Sequence, residues 1–462
     1  MTKLINSTRE GKLLGAAVLA TLVIASFGVF VGGSDEVTAA KHDRPNVVVI
    51  MADDQFTTTL NAMPYTRSRD DWVRFDNAIV NTALCCPSRA TLLTGLTSDH
   101  TGIESNSETS LFKDQPTIAN WLNDAGYRTG FIGKYFNKFP WGEPDDYVPP
   151  GWDYWASYAG KQGYYDYRLN DNGLVVDENG LKSYSTDVFA EKAVEFIEST
   201  NPGRPFFSLI SFFGPHSPWT PPTRYADAEV KKIRETPAFL EEDVSDKPRW
   251  IRRMREPDAA KMRENRTRHQ RALLAVDDAI EAVFAALEAK GELENTIVLY
   301  TSDHGISMGE HRYAHKTCGY EICSRVPLLV RVPGIDGRRE RALVGNIDFA
   351  PTIADYAGIE TGEPVDGRSL RPVLEQARKR LHKGIYLHRA QGQKNRIFSG
   401  LRTKRWKYVS YDKVGEQELY DLRRDPDELF NLLSTGRRKW DRKATVLAAK
   451  LRRIRDTPPK IR

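Results

Sequence analysis

Apolar residues fall along this chain in two kinds of run. Four are short and nearly unbroken: NVVVIM at 46–51, RTGFIGK at 128–134, RPFFSLISFF at 204–213 and TIVLY at 296–300. Such β-branched and aromatic runs predict strands buried on both faces. Between them the apolar residues recur at helical spacing, in SRATLLTGL, TIANWLNDAG (stopped by Gly126), STDVFAEKAVEFIEST and TRHQRALLAVDDAIEAVFAALEAKG, which ends at Gly291. Strands alternating with helices predict an α/β domain with a largely parallel sheet. Ligands bind beyond the carboxyl ends of the strands in such folds.

Two regions break the alternation. Residues 215–268 are rich in Pro, Arg, Glu and Asp and show no period. They read as a long surface excursion that shapes a cleft. Past about 370, KGIYLHR, IFSGLRTKRWKYVSYD and QELYDLRRDPDEL read as short antiparallel strands with turns. The expected organisation is therefore a catalytic region at 41–370, a smaller α+β subdomain with an antiparallel sheet at 371–440, and a basic tail at 441–462.

The first 40 residues are a separate matter. Lys3, Arg9 and Lys12 precede the apolar run LLGAAVLATLVIASFGVFVGG, and VTAA follows. That order is a signal peptide or, given the length of the run, an N-terminal membrane anchor. Either places the rest of the chain outside the cytoplasm, with membrane contact only through an uncleaved segment. A net charge of +5 over 462 residues gives no reason to expect nucleic acid. The closing RRKWDRKATVLAAKLRRIRDTPPKIR reads first as a solvated helix and tail, and second as a surface that attracts anions. Export permits disulfides. Cys85 and Cys86 are neighbours and poor mutual partners, whereas Cys318 and Cys323 either pair within a loop or stay as buried thiols.

The candidate chemistry sits at strand ends. NVVVIM runs into Asp53 and Asp54, and TIVLY into Asp303 and His304. Carboxylates gathered at one place repel one another unless a cation lies between them. Three Asp favour a hard divalent ion, Ca²⁺ or Mg²⁺ ahead of zinc, with His304 the softer donor. Read singly, each pair could equally cap a turn. Cys85 is the second residue of LCCPSRATLLTG, with Arg89 one helical turn on. A site holding a divalent cation and several basic residues suits a sulfate or phosphate ester. A free thiolate suits it less well.

These residues resemble the sulfatase family, within the alkaline-phosphatase-like fold. CCPSRATLLTG matches its C-x-P-S-R-x-x-x-x-T-G signature, and GYRTGFIGK at 126–134 matches the second one. DHG…GEHRYAHKT…RVPLLVRVPG and ELYDLRRDPDELFNL are similar to the family as well. GKYFN, VPPGWDYW and PHSPW resemble the N-acetylglucosamine-6-sulfatase and extracellular endosulfatase group, while SDHGISMGEH is similar to the branch with iduronate and choline sulfatases.

The resemblance implies a sandwich with a large mixed, mostly parallel central sheet, and a sulfuric ester hydrolase. It implies that Cys85 is oxidised to formylglycine by a formylglycine-generating enzyme. The hydrated aldehyde is a gem-diol. One hydroxyl attacks sulfur, the alcohol leaves, and the second hydroxyl loses its proton and expels sulfate. A serine would lack that second hydroxyl.

By the same resemblance Asp53, Asp54, Asp303, His304 and residue 85 bind the metal and Arg89 holds the gem-diol. Lys134 and Lys316 clamp the sulfate oxygens. His216 protonates the leaving alcohol, and Asn137 faces the substrate. Two positions depart from the family. Phe136 stands where many relatives carry a histidine, and Thr101 stands before Gly102 in place of one, with His100 a residue earlier as a candidate base on the gem-diol. The substrate expected is a sulfated small molecule or glycan, aryl or carbohydrate. The alternatives are a phosphonate or phosphate ester hydrolase on the same scaffold, and a catalytically silent protein that binds sulfated glycans.

Overall fold

In the computed structural model, which describes residues 44–461 except Asp114, ten strands form one mixed sheet. They are β1 (Asn46–Ala52), β2 (Val73–Ile79), β3 (Arg128–Gly133), β4 (Tyr154–Tyr158), β5 (Tyr167–Asp171), β6 (Leu174–Glu178), β7 (Phe206–Ser211), β8 (Thr296–Ser302), β9 (Leu328–Arg331) and β10 (Arg338–Gly345). Their order is β10-β2-β9-β8-β1-β7-β3-β4-β5-β6. β8, β1, β7, β3 and β4 run parallel at the centre, and β9 and β5 run against their neighbours. All four strands expected from the short apolar runs are present, as β1, β3, β7 and β8.

β1 shows why such a run carries no alternation. Val47, Val49 and Met51 enter one core, and Val48, Ile50 and Ala52 enter the other. Side chains alternate across the sheet, and helices cover both faces. The first core is covered by the helices Cys85–Thr94, Ile118–Asp124 and Phe349–Tyr356, and the second by Ser185–Glu198 and Ala259–Ala289. Each buried Val or Ile contributes about 1.5–3 kcal/mol.

The excursion read at 215–268 is shorter than expected. The helix Ala259–Ala289 already begins inside it, because the Asp258 side chain accepts the Lys261 N–H at 2.8 Å and caps it. Its first turns, AAKMRE, are solvated and carry no apolar period.

A second sheet, antiparallel, follows in the order β11 (Ile385–Arg389), β12 (Phe398–Arg402), β13 (Trp406–Tyr411) and β14 (Glu416–Asp421). The basic tail is less solvated than its composition suggests. Its helix, Arg438–Arg455, seats Ala444, Leu447 and Leu451 on Tyr386, Leu401, Tyr408 and Leu419 of this sheet. Cys318 and Cys323 are disulfide-bonded, and Cys85 and Cys86 are free and buried. The export segment read at 1–40 lies outside the described residues. Among those described, no helix is long and apolar enough to cross a membrane.

Candidate active site

β1 and β8 lie side by side with Ala52 opposite Ser302, so Asp53 and Asp303 leave the same edge of the sheet. Two hydrogen bonds tie the two tips together and a third closes the turn after Asp303. The Asp54 N–H donates to Asp303 Oδ1 at 3.1 Å, the His304 N–H to the same oxygen at 2.8 Å, and the Gln55 N–H to Ser302 Oγ at 2.9 Å. Asp54 itself is left-handed, with φ 66°, a conformation costing roughly 1–2 kcal/mol for a non-glycine residue. The buried His269 faces that strained turn and donates Nε2–H to the Asp54 carbonyl at 3.2 Å.

The helix Cys85–Thr94 starts against these tips. Pro87 stands in its first turn, where no N–H is needed, and Gly95 closes it at φ 72°. Arg89, one turn after Cys85, is 2% exposed and spans both tips. Its Nη2 is 3.1 Å from Asp53 Oδ2 and its Nε donates to Asp303 Oδ2 at 3.1 Å. Its Nη1 donates to the Lys134 carbonyl and to Ser211 Oγ, both at 2.6 Å. Ser88 Oγ donates to the Asp303 carbonyl, and Asn106 Oδ1 accepts the Cys86 N–H at 3.0 Å. The Cys85 thiol is thereby delivered to the mouth of the strand pair.

Lys134 follows β3. A Cβ on Gly133 would lie 2.0 Å from the Ser211 carbonyl oxygen, and Gly133 has φ 110°. Only glycine lets the chain cross β7 there and turn Lys134 inward, where its ammonium pairs with Asp53. Lys316 Nζ enters from the loop before the disulfide. It is 3.1 Å from Cys85 Sγ, 3.0 Å from Asp54 Oδ1 and 3.3 Å from His216 Nε2. His216 donates Nδ1–H to the Ser217 carbonyl at 2.7 Å, which turns Nε2 toward the site, 3.6 Å from Asp54 Oδ2. His304 Nε2 lies 3.3 Å from Cys85 Sγ.

Charge follows from this crowding. Burial would raise Asp53, but Lys134, His216 and Arg89 hold it well below the usual carboxylate range. Asp54 falls to about 2, with burial outweighed by Lys316 and His216. Burial also works against ionisation of Cys85, yet Lys134 and Lys316 drive its thiol well below the ordinary value. Asp303 goes the other way, raised by burial and then by Asp53. Cys86, a residue further on, is pushed up to about 12 by burial. The two thiols are therefore chemically unlike despite being adjacent.

Ligand atoms of Asp53, Asp54, Cys85 and His304 all lie within 4.8 Å of one another, and all four residues are buried. Two carboxylates, an imidazole and a further donor converging in one buried place fit a divalent cation. Asp303 stands behind that group, its oxygens on Arg89 and two backbone amides.

A cavity of about 640 Å³ opens over the site, with Lys134, Asn137, Gln162, Phe213 and His216 among its lining. The structure thus brings together Asp53, Asp54, Cys85, Arg89, Lys134, His216, Asp303, His304 and Lys316, and sets Asn137 on the cavity wall. Asn137 meets the site through Cys86, whose Sγ lies 3.2 Å from the Asn137 N. His100 is elsewhere: its Nδ1 is 2.8 Å from Asp366, and no contact joins it to Cys85. Phe136 packs in an aromatic group with Phe112, Tyr135 and Trp141. Sequence reasoning passed over Ser211, Ser88, Asn106 and His269. Ser88 lies inside the CCPSR motif and could have been singled out; the others carry no local signal.

A mostly parallel sheet that gathers carboxylates, imidazoles and lysines at its carboxyl edge is the architecture of the alkaline-phosphatase-like fold. Comparison with known proteins narrows this. The family model for sulfatases matches residues 45–359, and the model described as N-sulphoglucosamine sulphohydrolase, C-terminal, matches residues 309–457. The human N-acetylglucosamine-6-sulfatase is 32% identical over 459 residues, covering 86% of this chain and 82% of that one. The extracellular sulfatase SULF-1 homolog of Drosophila melanogaster is 35% identical over 74% of this chain, which spans only 32% of that protein's length. The solved structure of BT4656 with its substrate D-glucosamine-2-N,6-O-disulfate superposes with a TM-score of 0.75 at 28% identity, covering 90% of this chain and 99% of that one. The chain belongs to the sulfatase family, the sulfuric ester hydrolases.

Proposed function

We propose that this chain is an exported, formylglycine-dependent sulfatase that removes sulfate from a carbohydrate, with 6-O-sulfated glucosamine units as the first substrates to try. The observation that carries the reading is the convergence of Lys316 and His304 on Cys85 Sγ, with His216 beside Lys316, next to a cavity lined by Lys134 and His216. The names of the similar proteins favour the sugar: N-acetylglucosamine-6-sulfatase in the human protein, and a 6-O-sulfated glucosamine bound to BT4656.

In this reading Cys85 is the position converted to formylglycine, whose hydrate supplies an oxygen nucleophile that is regenerated each cycle. Asp53, Asp54, His304 and residue 85 would hold a Ca²⁺ or Mg²⁺ ion, and Asp303 would become the fifth donor by exchanging one of its bonds to Arg89 or the backbone amides for the metal. Such an ion supplies Lewis acidity to the sulfate and to residue 85.

The chain's own residues do the rest. Lys134 and Lys316 bind the sulfate oxygens and offset the charge that develops on them. His216 carries a proton on Nε2 toward the leaving alcohol, its ring oriented by the Nδ1–H bond to Ser217. Opposed by burial, Asp54 and Asp53 raise the affinity of that ring for a proton. Arg89 fixes the two strand tips and the start of the Cys85 helix in one geometry. Asn137 borders the leaving group. Residues 41–370 form the catalytic region in this proposal, with 371–440 and the tail supporting it.

The test is a desulfation screen. Protein co-expressed with a formylglycine-generating enzyme is assayed on N-acetylglucosamine-6-sulfate, an aryl sulfate, choline sulfate and a matched aryl phosphonate, and the mass of the Cys85 peptide is measured. Release of sulfate from the sugar together with the mass of the aldehyde is the expected result. An unmodified Cys85 in active protein, or faster turnover of the phosphonate, overturns the reading.

A further inference from the structure

A second cavity lies away from the catalytic centre, between the edge of the large sheet and the C-terminal helix. Its volume is about 460 Å³, within the roughly 300–1,000 Å³ range of small-ligand sites. Thr97 and Asp366, on its wall, sit just past the end of the Cys85–Thr94 helix. Nine residues of helix rise separate that end from Cys85, about 14 Å.

The lining is strongly cationic. Arg368, Arg380, Lys383, Lys450, Arg453 and Arg455 all contribute. Of these, only Arg455 has a carboxylate partner among the ion pairs of the described residues, Asp456 at 2.8 Å. Arg368 reaches the Leu381 carbonyl at 3.5 Å, and Lys450 donates to the Lys383 carbonyl. Carboxylates are close at hand but committed inward. Asp366 accepts from the Thr97 N–H at 2.8 Å, from Thr97 Oγ1 at 3.1 Å and lies 2.8 Å from His100 Nδ1. Asp348 accepts the N–H groups of Gly345 and Arg368 and faces His382 Nε2 at 2.8 Å. Burial, followed by the like charges of Arg453 and Lys383, lowers the proton affinity of Lys450. Cations so crowded repel one another unless an anion joins them.

Part of the cationic wall stands on a fixed element. The helix that carries Lys450 and Arg453 is anchored by Ala444, Leu447 and Leu451 on the second sheet. The cavity also has an apolar side, with Ile347, Val365, Ile385 and Ile454. A concave wall that pairs an apolar floor with guanidinium and ammonium groups matches a sulfated sugar ring, which offers C–H faces and fixed anionic substituents. It matches a flat lipid surface poorly.

We propose that this cavity is a second binding site, separate from the catalytic pocket, for a sulfated oligosaccharide segment. The choice of ligand rests on the sulfated-carbohydrate reading above; the uncompensated charge of the cavity does not. The site would hold a polyanionic chain at a distance from the ester being cleaved and raise the local concentration of substrate.

The experiment uses the full chain with Cys85→Ala, so that nothing turns over, and excess N-acetylglucosamine-6-sulfate to fill the catalytic pocket. Binding of a size-defined heparin hexasaccharide is measured by calorimetry at about 0.15 M NaCl, near physiological ionic strength. Arg380→Ala with Arg453→Ala should weaken it about tenfold, from two exposed charge contacts worth up to about fivefold each. Arg380→Lys with Arg453→Lys should restore most of the affinity. In the Cys85 background, turnover of a small aryl sulfate should be the same with and without the alanine pair. A change under about twofold in hexasaccharide binding, against the tenfold expected, overturns the proposal. So does equal or tighter binding of inorganic sulfate, or of phosphatidylserine vesicles, at the same two arginines. If the wild-type chain releases no sulfate from any sugar while the arginine-dependent binding persists, the catalytic reading falls and this site stands. The reverse pattern separates the two the other way.

Discussion

Two buried clusters of charge are joined by the short segment from Lys316 to Glu321, and they do different work. One is the catalytic floor, where Asp53, Asp54 and Asp303 meet Arg89, Lys134 and Lys316. The other lies between the large sheet and the second sheet. There Arg402 binds Glu321 through two nitrogens, at 3.1 and 3.0 Å, and Lys407 Nζ lies 2.8 Å from Glu321 and 2.9 Å from Glu428. Beside them Glu418 accepts three phenol O–H groups, from Tyr320 at 2.8 Å, Tyr411 at 2.9 Å and Tyr420 at 2.5 Å.

Both clusters are paired and desolvated, so density of charge does not tell them apart. Access does. The first faces a cavity and includes a thiol whose proton is easily lost. In the second, Lys407, Glu418 and Glu428 are each 2% exposed or less. It fastens the disulfide loop that follows Lys316 to β12, β13 and β14. Buried ion pairs of the second kind hold geometry; those of the first also act on a guest.

The contrast can be tested from either side. Removing the group at position 85 is the most severe change for chemistry. Cys85→Ala should lower turnover by about 10⁴-fold or more, with urea unfolding barely altered; an active Cys85→Ala enzyme would remove the thiol from the account. Glu321→Ala strands Arg402 and leaves Lys407 with Glu428 alone, and should cost about 3–5 kcal/mol in denaturant unfolding.

His216→Gln should lower kcat about 10²–10⁴-fold on sugar sulfates, whose alcohols need a proton to leave. Aryl sulfates, with better leaving groups, should suffer much less; equal losses on both would deny His216 its acid role. His269→Leu removes the bond to the Asp54 carbonyl, and should weaken Ca²⁺ or Mg²⁺ binding about 10–100-fold in a titration of the chelated protein.

The smallest effect is one of pH. Burial, ahead of the three phenol bonds that oppose it, raises Glu418 above its usual value of 4.5. A raised carboxyl contributes stability fully below the unfolded value and loses it as pH rises through the folded one. Stability of the wild type relative to Glu418→Gln should therefore fall as pH climbs above 4.5, with a limiting slope of about 1.4 kcal/mol for each pH unit. Urea melts at a series of pH values measure it, and a flat difference would mean that the phenols fully offset burial.

Much of this was legible in the residue order because it is local. An unbroken apolar run states that both faces of a strand are covered, and NVVVIM and TIVLY did so before any partner was known. CCPSRATLLTG and GYRTGFIGK carry their chemistry within a dozen residues. The outline of the site, Asp53 and Asp54 on one strand end and Asp303 and His304 on another, needed only those runs. The start of the long helix was missed because its first turns are solvated and apolar periodicity reports burial alone.

Other features depend on residues far apart in the chain. His269 meets Asp54 across 215 positions, and Arg89 meets Ser211 across 122. The phenols that enclose Glu418, and the carboxylates that turn inward and leave Arg380 and Arg453 uncompensated, come from separate strands and loops. Composition reports how many charges a chain has. Which of them lose water, and which of them find a partner, follows from packing, since both desolvation and Coulomb attraction depend on distances that only the folded chain sets. Residue order alone thus yielded the sheet, the signature and the acidic tips. Folding assigned the same kinds of side chain to a reaction floor, a sealed fastening and an open cationic hollow.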